Sequence, residues 1–428
     1  MLTRGKPTQS PAALAQPRYD AYAVLRNRDL VLYLVGRFVS SIGQQMVTVA
    51  VGWELYEKTH WPLALAFVGL TQMIPMILFT LPAGHVADNY PRKRIIILMT
   101  LVIACASASL SVISALNAPI FWIYLCLFAA GSARTFLWPA SSAFLPHLVP
   151  RQTFSRAVAW SSGSFQLSCV TGPAMGGVLI ALTHHAAPVY ALNSLTALIC
   201  LSLIALVRRE HAVVAKERMT PANLVVGFQF VFASPVILGT ITLDLFAVLL
   251  GGATALLPIY AEDILRVGPT GLGFLQAALP MGSLLCALTL AHRPPLQKAG
   301  RAMLLAVAGF GLATIGFGYS RWFPLSFFML FMCGALDCVS VVVRHTLVQL
   351  LTPDEKRGRV SAVNSLFIGT SNELGGFESG AVANWFGPVF SVAVGGLGTI
   401  LVVVAVALLW PEMRRYGRLD AATDSAST

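Results

Sequence analysis

Seven ionisable side chains stand where a water-soluble chain would rarely put them. Arg37, Arg134, Asp244, Asp337 and Arg344 fall inside long apolar runs, and Glu373 and Glu378 fall inside a further run near the C-terminus. In a hydrocarbon layer each such charge is disfavoured by about 2.5–3.5 kcal/mol, so its retention points to a pathway or to a partner. A carboxylate there can take up and release a proton, whereas arginine keeps its charge and holds an anion. Two readings of the first five remain open. They form permanent pairs that tie helices together or snorkel to the interface, or they bind substrate, carry protons and exchange partners as helices move. Arg37, close behind Leu30, is the best placed to snorkel. Asp337 and Arg344 share a helix face but stand about 10 Å apart, too far for direct contact. Trp138, one turn beyond Arg134, could stack on a planar ligand or on the guanidinium, although a single aromatic there also serves ordinary packing. Glu373 and Glu378 are further proton-site candidates, and Asn372 with the nearby glycines equally suits a polar contact between helices.

The elements that must position these residues follow from composition. Of 428 residues 56% are hydrophobic and 11% charged, more apolar content than one soluble core needs, which argues against a soluble enzyme. Apolar runs of bilayer length are expected to form twelve membrane-spanning helices near 30–56, 62–86, 94–115, 119–143, 156–183, 188–207, 235–261, 270–291, 301–320, 323–350, 359–386 and 389–410. The expected organisation is a cytoplasmic segment 1–29, a six-helix bundle 30–208, a polar linker 209–234, a second bundle 235–411 and a tail 412–428. Thr220 to Phe232 within the linker suits a surface helix.

The formal charge of +11 suits membrane orientation better than nucleic acid, because the basic residues are spread through short loops. Of 29 lysines and arginines, 23 fall on one side of the twelve-span layout, three (Lys58, Arg266, Arg321) on the other and three inside spans. The positive-inside rule then places both termini in the cytoplasm. The first span, with no apolar signal-peptide core before it, is expected to serve as the insertion signal. Seven cysteines all lie in apolar spans, where a thiol acts as a small hydrophobe, and imply neither disulfides nor metal. The adjacent His184 and His185 sit in a turn that does not make a complete metal site. Neither a phosphate-binding G-x-x-x-x-G-K-[ST] loop nor an H-E-x-x-H helix occurs, so ATP-driven transport and zinc peptidase chemistry lack their residues.

The two halves repeat. A shift of 203 superposes Gly131 on Gly334, Pro150 on Pro353, Arg156 on Arg359, Ala159 on Ala362, Gly172 on Gly375 and Gly177 on Gly380. A shift of 204 to 205 pairs Gly69 with Gly273, Gln72 with Gln276 and Pro75 with Pro280. The first register sets Arg134 opposite Asp337, and aligning Leu30 with Ile237 sets Arg37 opposite Asp244, so each place has a cation in one half and an anion in the other. Arg134 and Asp337 are therefore expected to form a pair or gate that crosses between bundles. Parallel repeats of this kind put a binding site between the two bundles.

Three local patterns add to this. Gly84, Asp88, Arg92 and Lys93 form a tight helix exit followed by an acid and a basic cluster, able to hold a neighbouring helix end; positive-inside anchoring explains the cations but not Asp88. Gly163, Gly172, Pro173, Gly176 and Gly177 permit close helix approach and a local kink, which is also ordinary small-residue packing. Arg357, Arg359, Asn364 and the run Ser371 to Gly380 form a third pattern. The first resembles the loop 2–3 signature of the major facilitator superfamily, departing at Pro91 where a glycine is usual, and the second half does not repeat it. The second pattern resembles that superfamily's helix-5 antiporter motif, departing at Ser168. The third resembles a bacterial branch often grouped with enterobactin-type siderophore exporters.

The resemblance implies an all-α membrane fold of two pseudo-symmetric six-helix bundles, with helices 1, 4, 7 and 10 lining a central cavity. It implies that Asp88 acts as a conformational latch, and that transport runs outward. The expected function is proton-coupled export of a small organic molecule such as a siderophore or drug from a bacterial cytoplasmic membrane; import, or a non-transporting receptor or scaffold, are the alternatives. No bound cofactor is called for, and a proton gradient supplies the energy. The expected partners are the lipid bilayer and the substrate, with the chain acting as a monomer. Three embedded arginines suit an anionic or catecholate ligand, although Asp244 and Asp337 count against that by neutralising them.

Overall fold

The computed structural model describes residues 22–208, 228–293, 298–415 and 417. Twelve long helical segments follow one another, with no strand among the described residues. We number them α1 (Arg28–Thr59), α2 (Pro62–Asn89), α3 (Arg92–Ala115), α4 (Ile120–Leu148), α5 (Phe154–Thr183), α6 (Ala187–Ala205), α7 (Pro235–Leu250), α8 (Gly268–Ala291), α9 (Ala299–Tyr319), α10 (Phe323–Leu351), α11 (Asp354–Phe386) and α12 (Pro388–Leu409). The all-α fold is as expected, and each of the twelve expected spans falls on a helical segment. Most of the linker 209–234 and of its surface helix lies outside the described residues, of which 228–233 are helical.

The ends of these helices have local causes. Asn27 caps α1, its side-chain oxygen accepting from the amides of Asp29 and Leu30. Pro62, Pro235 and Pro388 open α2, α7 and α12, where a missing N–H leaves no bond unmade. His60 and His184 end α1 and α5 in the left-handed conformation, with φ of 45° and 57°. His184 thus acts as a helix terminator.

Two spans depart from the expected regular helix. The run 235–261 is α-helical only to Leu250; Gly251 and Gly252 break it, and the chain continues through a 3-10 turn (Ala253–Leu256), a short turn (Leu257–Ile259) and a π turn (Tyr260–Ile264). A Cβ added to Gly252 would lie 2.5 Å from the carbonyl oxygen of Gly375, so α11 runs directly against the break. Eleven of the twelve segments are long and apolar enough to cross a bilayer on length and composition. The exception is α11, whose 33 residues include Asn364, Ser371, Asn372, Glu373 and Glu378. Its cover comes from protein, since it packs against α2, α7 and α12.

In the first half α1 packs on α5 and α6, α3 on α4 and α6, and α2 on α4; in the second α8 packs on α10, and α9 on α10 and α12. Two helix pairs make most of the contact between the halves, α5 with α8 and α2 with α11, and α1 adds smaller contacts to α8 and to the segment after Gly252. A six-helix shift converts one of the two pairs into the other, as duplication requires. At the end carrying the α1–α2 turn the halves close tightly: the Tyr56 hydroxyl donates to Asp263, and the rings of Phe67 and Phe377 lie 6.3 Å apart. Toward the α2–α3 end Trp138 of α4 is 69% exposed. Many outward-facing leucines, such as Leu182, Leu305 and Leu401, are exposed, as on a surface whose solvent is lipid.

Candidate functional site: a cavity between the bundles

A cavity of about 400 Å³ lies between the halves. Its walls come from α1 to α6 on one side, and from α8, α10, α11 and the irregular segment after Gly252 on the other. Leu65, Leu127, Leu257 and Leu330 make much of the lining apolar. Its polar groups are few and placed by the local turns of their helices.

Arg134 on α4 is exposed into this cavity and donates through Nη2 to the side-chain oxygen of Gln72 on α2. Glu373 on α11 lines the same cavity and is the carboxylate acting electrostatically on Arg134. No ion pair joins the two. The backbone brings Glu373 there because α2 and α11 nearly touch: a Cβ on Gly69 would lie 2.5 Å from the Glu373 carbonyl oxygen. Gln44, Gln45, Gln276 and Asn372 supply amides to the lining. Gln45 donates to the Cys169 thiol at 3.0 Å, and Asn372 donates to the Ile368 carbonyl at 2.8 Å. Gln72 and Gln276, equivalent in the repeat, stand on walls from different halves.

Three expectations about the charges need correction. Arg134 does not meet Asp337: it turns to Gln72 and Glu373, while Asp337 points among Cys333 and Cys338 on its own helix without an ion pair. Sequence equivalence relates positions by the pseudo-twofold, and that operation does not bring equivalent side chains together. Asp244 is not balanced by Arg37 but by Arg344, a buried ion pair inside the second half between α7 and α10. The three arginines are therefore not neutralised as the alignment suggested, and only Arg134 stands in the cavity. Arg37 lies beside Tyr33 and Cys200, with its Nη1 buried and without a hydrogen bond. Glu378 lies off the cavity lining and accepts from the hydroxyl of its neighbour Ser379 at 3.3 Å.

The remaining motif residues divide by partner. Asp88 makes no hydrogen bond or ion pair among the described residues, and a Cβ on Gly84 would meet nothing within 4 Å. Arg92 reaches His147 and the Ala143 carbonyl at the end of α4, and Lys93 donates to the carbonyls of Ala205 and Val207 at 3.0 and 2.7 Å. These cations cap the exposed carbonyls of helix ends in their own half. On α5, Gly172 and Gly176 lie against Gln45 and Met46 of α1, Gly177 against Pro269 and Gly273 of α8, and Gly163 against open space. Pro173 lines the cavity.

Sequence reasoning passed over Gln72 and Gln276 as site residues, although the repeat already paired them. It also passed over Glu54, 3% exposed, which accepts from Tyr190 at 2.7 Å and pairs with Lys58. Its signal was a single acid in an otherwise apolar stretch of α1.

A family model described as transmembrane secretion effector matches residues 19–425. Enterobactin exporters EntS of Escherichia coli O1:K1 / APEC and of Shigella boydii serotype 18 are each 29% identical to this chain over 393 residues, covering 89% of it and 92% of the relative. A bacterial homolog of the human lysosomal transporter Spinster, in an inward-facing and unoccupied conformation, matches with TM-score 0.65 at 15% identity over 91% of this chain and 96% of its own. A POT family transporter in complex with 5-aminolevulinic acid matches with TM-score 0.74 at 13% identity over 90% and 97%. At such identities the structural matches speak to the fold alone. Match length, twelve-span architecture and inter-bundle cavity agree, and the chain belongs to the transmembrane secretion effector family of major facilitator superfamily transporters.

Proposed function

We propose that this transporter exports a small organic molecule from a bacterial cytoplasm in exchange for protons, with Glu373 as the carboxylate that proton and substrate both address. The observation that carries this is the placing of Arg134 and Glu373 on different bundles, facing one cavity without an ion pair between them. A proton on Glu373 removes its attraction for Arg134, and a bound anionic group replaces that attraction, so loading either one changes how strongly the bundles hold each other. The relatives named as enterobactin exporters support the outward direction.

In this reading both termini and the linker 209–234 face the cytoplasm, and the bundles are closed at the periplasmic end. Asp88, free of partners in this state, is the latch that docks when the cytoplasmic end closes. One chain builds the whole cavity, so a monomer suffices, and the proton gradient supplies the energy without a bound cofactor.

Proteoliposomes of known orientation, with a pH dye inside, test the reading against a panel of siderophores and amphipathic drugs. Opposed movement of substrate and protons is expected, lost in Glu373→Gln. Movement in the same direction would replace export by import, and substrate flux without a pH change would remove the proton from the mechanism.

A further inference from the structure

The two charges that line the cavity lie on opposite halves, with amide groups on both walls. On the first-half wall Arg134 commits Nη2 to the Gln72 oxygen, leaving the rest of its guanidinium and the Gln72 amide nitrogen as donors. On the second-half wall Asn372 commits its amide nitrogen to the Ile368 carbonyl, leaving its oxygen as an acceptor beside the Glu373 carboxylate. Gln276, on that same side, has no hydrogen bond among the described residues. Between the two walls the lining is largely leucine, valine and proline.

A lone guanidinium and a lone carboxylate that face one cavity and do not touch make a slot with two poles. A ligand with only an anionic group satisfies Arg134 and strands Glu373; a ligand with only a cation does the reverse. When the bundles close over the ligand, the stranded charge loses water without gaining a partner, which is strongly unfavourable. A ligand with both charges leaves neither pole unpaired.

We propose that the cavity selects zwitterions: molecules that carry an acidic oxygen group for Arg134 and Gln72, and a protonated amine for Glu373 and Asn372, on one apolar body. This rests on the preceding section only in taking the cavity as the substrate site. It also gives the exchange a chemical form. The amine and the proton compete for the Glu373 carboxylate, so binding of one accompanies release of the other.

The test uses the full chain, purified in nanodiscs, and calorimetric titration with 4-(aminomethyl)benzoate and homologues lengthened by one or two methylenes per arm. The single-charge controls are 4-methylbenzoate and 4-methylbenzylamine. One homologue is expected to bind at least about tenfold more tightly than either control, as a charged hydrogen bond made or left unmade requires. In Glu373→Gln its advantage over 4-methylbenzoate should vanish, with 4-methylbenzoate itself binding more tightly because no carboxylate is stranded; in Arg134→Gln its advantage over the amine should vanish. If Glu373→Gln does not fold, Glu373→Asp draws the charge back and should move the optimum to a longer homologue. Equal binding of a single-charge control, absence of saturable binding throughout the series, a preference that survives Glu373→Gln, or an unmoved optimum in Glu373→Asp each overturns the inference. Zwitterion binding without proton exchange in proteoliposomes would instead remove the proton coupling and leave the selectivity, whereas proton-coupled exchange of a single-charge substrate would do the opposite.

Discussion

Arg344 and Asp244 pair inside the second bundle, both nearly inaccessible, and neither lines the cavity. Removing one partner leaves the other buried and uncompensated, so Asp244→Asn should lower stability by roughly 3–5 kcal/mol, read from denaturant unfolding in lipid, without altering ligand affinity at the cavity. Arg134 and Asp337 make the contrasting case. They share no partner, so the effects of Arg134→Gln and Asp337→Asn on stability should add to within about 0.5 kcal/mol, and exchanging the two residues should rescue neither single variant. Recovery in the exchanged protein would show a contact formed in another state. At this scale the sequence told which charges were unusual, because an ionisable residue in an apolar run is visible without a structure. It did not tell which partner each would take, since Arg134 could reach α2, α11 or α10 depending on helix rotation alone.

Helix α5 shows what spacing can and cannot say about an element. Its glycines read as a close-packing stripe, but only the fold divides them among α1, α8 and empty space. The division predicts different outcomes along one helix. Gly177→Val should prevent closure of the α1–α2 end, because even a Cβ there would overlap the Pro269 carbonyl and press on Gly273. A cysteine at Gln276 in a cysteine-free background should then react with impermeant maleimide from the side that Lys58 occupies. Gly163→Ala meets nothing and removes only backbone freedom, so it should leave labelling unchanged. The break in α7 was hinted at by Gly251-Gly252 and Pro258, yet the overall apolarity of the run favoured a continuous span. Helix α11 is the reverse: too polar for a lipid-facing span, it is nonetheless a long helix because α2, α7 and α12 surround it.

For the whole molecule, the arrangement of the helices and the direction of the chain are separate questions with separate tests. Charge asymmetry predicts that single cysteines replacing Arg92 and Lys298 are labelled only from the cytoplasm, and those replacing Lys58 and Arg266 only from outside. The inverse pattern would overturn the orientation. Closure of the α1–α2 end depends in part on the Tyr56 hydroxyl and Asp263, a hydrogen bond between bundles. A bond to a charged acceptor contributes about 1.5–3 kcal/mol, so Tyr56→Phe should shift the population toward opening at that end. Faster maleimide labelling of a cysteine at Gln276 from outside would report the shift.

What the sequence carried by itself was whatever the bilayer imposes residue by residue: the apolar helical spans, an expectation of the side each loop faces, and the internal repeat between the halves. Those properties depend on transfer of local segments between water and hydrocarbon, and so they can be read from local composition. Tertiary structure alone decided that Arg134 meets Gln72 and faces Glu373, that Asp244 belongs to Arg344, and that Gln72 and Gln276 occupy opposite walls. These depend on the rotation and depth of helices far apart in the chain, which are set by close packing at a few glycines on α2, α5, α8 and α11. A shift of one residue in that packing would turn a side chain by about 100° around its helix, out of the cavity and into a neighbour, with no change in the composition of the span.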